Sequence, residues 1–207
     1  VVVYEEFGTE LALSPHFHSS VLATAFLARA ATAAQKSRWL PDIVSGEMVC
    51  AVAWLEPGNG YGARGIQLSA EEDAGSYSLT GAKTLVPYAN TATHILVLSR
   101  TGSGPEDVAA FVVECGMTGM QVRNQPTQSG EAVCKVTFDS VQVGAEARVG
   151  DGASIWAEWE MAVSEANISN AALAIGSATR IHELATEYSK VREAFGQPIG
   201  GFQAIAH

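Results

Sequence analysis

The feature that most constrains this chain is a change of period that happens twice. From Val49 to Gly144 the apolar residues come in short β-branched runs, at 49–55, 66–72, 77–86, 94–99, 108–114, 121–124 and 133–141. Turn formers separate them: Pro57-Gly58-Asn59-Gly60, Asp73-Ala74-Gly75, Gly102-Ser103-Gly104-Pro105 and Ser129-Gly130. Seven short runs broken by glycine and proline predict an antiparallel β-domain, a barrel or sandwich. The flanks read differently. Residues 9–40 are rich in Ala and Leu, with Val21, Leu22, Ala25, Phe26 and Ala30 at helical spacing. Ser14-Pro15 fits a helix start with proline in the first turn, and Pro41 is expected to end a helix before it. Between Trp156 and Arg192 there is no proline and one glycine, Gly176. Ile168, Ala171, Ile175, Ala178, Ile181, Ala185 and Tyr188 trace one stripe there, predicting a long helix over 155–191. Small residues crowd 164–178 and permit close approach by a second helix. The expectation is an α+β chain: helical at 1–45, β at 46–150, helical at 151–207.

Composition narrows the function classes. Lys and Arg total 12 against 22 Asp and Glu, a net charge of −10, which argues against nucleic acid as a partner because phosphate binding needs a basic surface. Cys50, Cys115 and Cys134 lack CxxC spacing. They read as reduced, buried thiols, and the chain as cytoplasmic. His16, His18, His94, His182 and His207 share no ligand spacing, so no metal site is predicted. Glu71-Glu72-Asp73 reads as a solvated turn, and Trp156 and Trp159, beside Met161, as core. No apolar run nears the ~20 residues of a membrane span, and the first residues lack a basic n-region. The chain begins at Val1 and stops at His207 without tapering, so both ends read as cut.

Five stretches, in order, carry a resemblance. Glu5-Glu6-Phe7-Gly8 is similar to E-E-[FL]-G, and Gln35-Lys36-Ser37-Arg38-Trp39-Leu40-Pro41 to Q-K-x-x-[WY]-L-P. Glu56-Pro57-Gly58-Asn59-Gly60 is similar to the core of T-E-P-x-x-G-S-D. Leu79-Thr80-Gly81-Ala82-Lys83, Ala89 and the run to Arg100 are similar to L-x-G-x-K…A…[LV]-x-x-A-R. Tyr188, Arg192, Phe195-Gly196, Pro198-Ile199 and Phe202-Gln203-Ala204-Ile205 match Y-x-x-x-R-x-x-F-G-x-P-I…F-Q-A-I, the most specific of the five. The chain thus resembles the acyl-CoA dehydrogenases. It resembles an internal stretch of one: the end of the N-terminal helical domain, the middle β-domain and the first long helix of a C-terminal helical bundle.

The resemblance implies FAD as cofactor and places three groups of residues at it. Gly60 would let backbone N–H groups approach a phosphate with no Cβ in the way, although the loop also reads as a plain hairpin turn. The family's flavin-contacting Thr is Leu55 here, its pyrophosphate-contacting Ser is Tyr61, and its Asp is Gly62. Leu85, Val86 and Pro87 take the positions that face the flavin ring, where members often carry an aromatic, an apolar residue and Thr. Val86-Pro87-Tyr88-Ala89 matches a V-P-Y-A variant of one branch. Arg192, Phe195 and Gln203 match without change and would serve the flavin of a neighbouring subunit, with Arg192 on the pyrophosphate. Arg192 also reads as a helix-terminal cation.

The implied reaction is α,β-dehydrogenation of an acyl-CoA thioester, with electrons passed to an electron-accepting flavoprotein or another acceptor, in a homo- or hetero-oligomer. The general base is expected beyond residue 207. A minority of the family carries it ten residues before the helix glycine, which is Ala166 here. Glu165 lies about 100° round the helix from that position. The departures at Leu55, Tyr61 and Pro87 leave open a non-catalytic scaffold subunit of a heteromeric dehydrogenase, or a related flavin monooxygenase or oxidase.

Overall fold

The computed structural model describes residues 1–104, 107–152 and 154–207. Helices α1 (Val2–Thr9), α2 (Thr24–Ala30) and α3 (Ala33–Ser45) come first, with a π-helical segment, Phe17–Ala23, leading into α2. Strands β1 (Cys50–Ala53), β2 (Ser69–Asp73), β3 (Ser76–Pro87), β4 (His94–Arg100), β5 (Val108–Glu114), β6 (Met120–Gln125) and β7 (Val133–Gly144) follow. Then come α4 (Trp156–Val191), the two-residue strands β8 (Glu193–Ala194) and β9 (Gln197–Pro198), and α5 (Gln203–Ala206). All seven predicted strands form. Pro105 of one predicted turn lies outside the described residues.

The chain divides into two compact units, 13–166 and a smaller one of 1–12 with 167–207. In the larger unit the seven strands make one sheet in the order β1-β4-β2-β3-β7-β6, with β5 on β4. It is mixed where an antiparallel sheet was expected: β1 lies parallel to β4, and β2 meets β4 in parallel at Ser69↔Arg100. Turn signals reveal that strands exist but not which non-adjacent strands pair.

β1 is buried at every position and β4 from Ile95 to Ser99, because apolar clusters cover both faces. Cys50, Val52, Leu96 and Leu98 pack with Phe26, Leu27, Trp39 and Trp159. Ala51, Ala53, Ile95 and Val97 pack with Leu79, Phe111, Val136 and Phe138. In β7 the inward residues are Val136 and Phe138, then Val141 and Val143. That parity change is absorbed by a register shift opposite Leu79/Gly81, with Ser140 at φ 54°, so the bulge keeps both pairs on the core side.

Helix α3 starts at a capping box in which the Gln35 N–H donates to Thr32 Oγ1 at 3.3 Å and the Thr32 N–H to Gln35 Oε1 at 3.1 Å. It does not end at Pro41, which lies inside it. Proline costs one backbone bond near the end of the helix, while Ile43 beyond it is buried and Gly46, at φ 82°, supplies the left-handed stop. Helix α4 matches its prediction within a residue. Trp159 is buried as expected and Trp156 is half-buried, while the neighbouring Met161 is exposed.

In the smaller unit α1 crosses α4 with backbones in contact. A Cβ on Gly8 would stand 2.0 Å from Leu173 O, and one on Gly176 would stand 1.9 Å from Glu5 O. The Ser177 hydroxyl donates to Gly8 O at 2.9 Å. The stripe through Ile168, Ile175, Ile181 and Tyr188 is exposed; the packed face of α4 here is the small-residue one. Among the described residues no helix is long and apolar enough to cross a membrane.

Candidate functional site

The loop between β1 and β2 opens with a tight turn. The Asn59 N–H donates to Glu56 O at 3.3 Å across Pro57 and Gly58, and Gly58 has φ 75°. Proline second and a positive-φ glycine third make this a type II turn. The loop then folds back, so that a Cβ on Gly65 would lie 1.8 Å from Gly60 O. On its outer side Gly58, Gly60 and Gly62 stand bare: among the described residues, a Cβ on any of them would meet nothing within 4 Å. Packing within the chain therefore does not demand glycine at Gly60 or Gly62. The loop presents uncovered backbone to its surroundings.

Two buried or half-buried groups hold this loop. Glu56 Oε1 accepts the N–H groups of Gln67 and Leu68, each at 2.8 Å, and the Lys83 ammonium at 2.7 Å, while Oε2 accepts from Asn59 Nδ2 at 3.0 Å. Lys83, from the middle of β3, is fully buried and also donates to Trp54 O at 3.3 Å. Burial pulls the Lys83 ammonium down to about 8, against the opposing pull of Glu56. From the far side, the Arg100 guanidinium donates to the carbonyls of Ile66 at 2.8 Å and Gly104 at 2.5 Å, and to that of Ala63. The loop is exposed yet fixed at both ends.

Six of the nine predicted site residues fall in the larger unit, around this loop. Leu55 O accepts the Thr84 N–H at 2.9 Å, which brings Leu55 beside the end of β3. Tyr61 is 75% exposed, its ring 5.9 Å from that of Trp54. Leu85 sits in a bulge between Lys83 and Val86 with φ 51°, and its side chain is 53% exposed. Its N–H donates to Gln125 Oε1 at 2.9 Å, which the Thr84 hydroxyl shares at 3.3 Å. A branched residue held at positive φ with its side chain turned outward is strain of the kind that collects at ligand sites. Val86 is buried opposite Cys134 in the ladder, and Pro87 is half-buried opposite Val133.

Arg192, Phe195 and Gln203 belong to the smaller unit. Arg192 follows the last residue of α4 and is exposed. Phe195 and Gly196, at φ 55° and 81°, form the two-residue turn between β8 and β9, the type I′ pattern. The Phe195 side chain is 97% exposed. Gln203 begins α5 and is exposed.

The acidic candidates sort clearly. Ala166 is buried in the helix-side core. Glu165 is held by Arg29, whose Nε donates to Glu165 Oε2 at 3.2 Å and whose Nη2 donates to Oε1. Cys50 and Cys134 are buried, Cys115 is partly exposed, and all three are free thiols. Among the described residues no group of three His, Cys, Asp or Glu side chains is arranged to hold a metal. The Glu56–Lys83 pair lies within two of the sequence motifs but carried no assigned role there. The signal was Lys83 itself, which falls on the inward parity of Tyr77 and Leu79 in β3, where a lysine demands a buried partner.

A curled mixed sheet between helical segments, with a bare glycine loop clamped at its base, defines the class of protein. Family models place the chain within it: "Acyl-CoA dehydrogenase, N-terminal domain" matches residues 1–47, "middle domain" residues 51–141 and "C-terminal domain" residues 156–207. The chain belongs to the acyl-CoA dehydrogenase family. It is 33% identical over 205 residues to an acyl-CoA dehydrogenase of Mycobacterium tuberculosis, covering 99% of this chain and 52% of that protein. Against the mitochondrial isovaleryl-CoA dehydrogenase of Arabidopsis thaliana it is 31% identical over 204 residues, covering 94% and 49%. Butyryl-CoA dehydrogenase from Megasphaera elsdenii superposes with a TM-score of 0.85 at 28% identity, covering 92% of this chain and 51% of that one. PigA with FAD and proline superposes at 0.82 and 27% identity, covering 92% and 51%. The chain spans about half the length of the relatives it matches.

Proposed function

We propose that the protein is a flavin-dependent acyl-CoA dehydrogenase that removes hydrogen from Cα and Cβ of an acyl-CoA thioester, with FAD as cofactor. The observation that carries this reading is the glycine loop, whose backbone at Gly58, Gly60 and Gly62 is left open while its base is clamped by Glu56. Bare N–H groups on a rigid loop suit phosphate oxygens. Gly60 and Tyr61 would hold the pyrophosphate side of FAD, and Leu55, Leu85, Val86 and Pro87 would border its ring. Arg192, Phe195 and Gln203 would serve the FAD of a neighbouring subunit, in a homo- or hetero-oligomer. When bound, FAD supplies the hydride acceptor. The chain's own residues orient it and exclude water from its ring through apolar side chains. Glu165 is tied to Arg29 and is assigned no catalytic role in this reading; a carboxylate outside these residues would take the α-proton. Electrons then pass to an electron-accepting flavoprotein or another acceptor.

Leu55 and Pro87 offer no hydroxyl where the family places one, which favours a non-catalytic scaffold subunit as the second reading. A third reading is a related flavin monooxygenase or oxidase; the chain is similar to PigA, whose structure holds FAD and proline. One experiment separates them. The full-length protein is purified, its flavin absorbance recorded, and acyl-CoA thioesters added without oxygen. Bleaching of the flavin bands is expected. Protein that takes up no flavin even with added FAD belongs to the scaffold reading. Protein whose flavin no acyl-CoA bleaches belongs to the oxidase reading.

A further inference from the structure

Asn59 is exposed, yet its side chain is the outermost member of a relay that ends at a buried cation. Asn59 Nδ2 donates to Glu56 Oε2 at 3.0 Å, and Glu56 Oε1 accepts from Lys83 Nζ at 2.7 Å. Lys83 stands on β3 just before the strained Leu85, and the Thr84 N–H between them donates to Leu55 O at 2.9 Å. The relay therefore links the apex of the glycine loop to the strand segment that carries Leu85 and Val86. Glu56 also closes the loop's exit through the Gln67 and Leu68 N–H groups. Fully buried Lys83 and nearly buried Glu56 hold fixed geometry, because neither can leave without stranding a charge. Asn59 differs from them. Its side chain contributes little buried area, and the turn beneath it keeps its own backbone bond and its positive-φ glycine.

We infer that Asn59, acting through Glu56 and Lys83, is a positioning residue that sets the loop at Gly58–Gly62 in register with Leu85, and so sets flavin affinity without contributing to the stability of the fold. This rests on the flavin reading above. An ordered loop binds more tightly because the cost of ordering it is met before the ligand arrives.

The test uses the full-length protein and the variant Asn59→Ala. Three quantities are measured: the melting temperature of the flavin-free protein, hydrogen exchange of residues 57–66 in that form, and the FAD dissociation constant. The variant should melt within about 2 °C of wild type. It should exchange faster across 57–66 and bind FAD about two- to tenfold more weakly, the effect of one lost hydrogen bond. At saturating FAD its turnover should equal that of wild type. An unchanged dissociation constant overturns the inference. So does a melting temperature that falls in proportion to affinity, since Asn59 would then be an ordinary structural clip. Wild type that binds no FAD overturns the flavin reading instead. In that event unchanged exchange across 57–66 overturns the relay, and faster exchange supports it.

Discussion

Replacing Lys83 by Met is the sharpest test of the loop's foundation. The change keeps length and removes the charge. In the native protein the side chains of Lys83 and Glu56 are 0% and 6% exposed and 2.7 Å apart, far from the surface pairs worth about 0–1 kcal/mol. Lys83→Met leaves the Glu56 carboxylate with the Gln67, Leu68 and Asn59 donors but no cation. Breaking a buried pair from one side costs about 3–5 kcal/mol, and at 2–4 °C per kcal/mol for a protein of this size that lowers the melting temperature by roughly 6–20 °C. The double variant Lys83→Met, Glu56→Gln keeps an acceptor for the two backbone N–H groups and strands no charge. It should lose less than the sum of the two single changes. The pH dependence has a definite sign. Lys83 titrates near 8 when folded and near 10.5 when unfolded, so between those values the unfolded chain holds the extra proton. Stability should therefore rise as pH climbs from about 8 to about 10.5, where the neutral amine, unlike Met, still donates to Glu56 and Trp54. Denaturant unfolding across that window should show the rise in wild type and not in Lys83→Met, read as the difference between the two. A Lys83→Met variant within 1 kcal/mol of wild type, or strict additivity in the double variant, would refute the reasoning.

Two further outcomes follow from the site and the helix crossing. Arg192→Ala should release more FAD from the full-length protein than Glu165→Ala does, measured as flavin fluorescence from equal amounts of protein; if Glu165→Ala abolishes turnover with flavin still bound, the base has been misplaced. Gly176→Ala should destabilise the protein by about 1–3 kcal/mol in denaturant unfolding, because the new methyl would stand 1.9 Å from Glu5 O; an unchanged midpoint would mean that α1 does not cross α4 there.

Much of the fold was legible because local signals and tertiary packing agree. Val108–Glu114 and α4 are regular, and their boundaries are set by glycine, proline or a change of period. Pro41 misled, because a proline near a helix end costs one bond and the buried Ile43 outweighs it. The parallel pairing of β1 with β4 was invisible, since partner choice between distant strands leaves no periodic trace. Of the residues that motif resemblance assigns to FAD, Leu55, Gly60, Tyr61, Leu85, Val86 and Pro87 all lie in the larger unit, with Leu55 bonded beside the end of β3. Lys83 and Glu56 were visible as residues, but their pairing needed the register of β3 against the loop. Asn59 had no signal beyond being a turn former, because its partner is a side chain three residues back and not a repeat in the pattern.

The open backbone at Gly60 is proposed to receive a phosphate of FAD, and Gly60→Ala separates that role from packing. Among the described residues a Cβ there would meet nothing within 4 Å, and Gly60 does not occupy the left-handed region. The substitution should therefore leave the melting temperature of the flavin-free full-length protein within about 2 °C of wild type. The same methyl would stand where the phosphate must come close. FAD binding, followed by titration of flavin fluorescence, should weaken by about tenfold or more, at least 1.4 kcal/mol. A Gly60→Ala protein that binds FAD as tightly as wild type would contradict the claim.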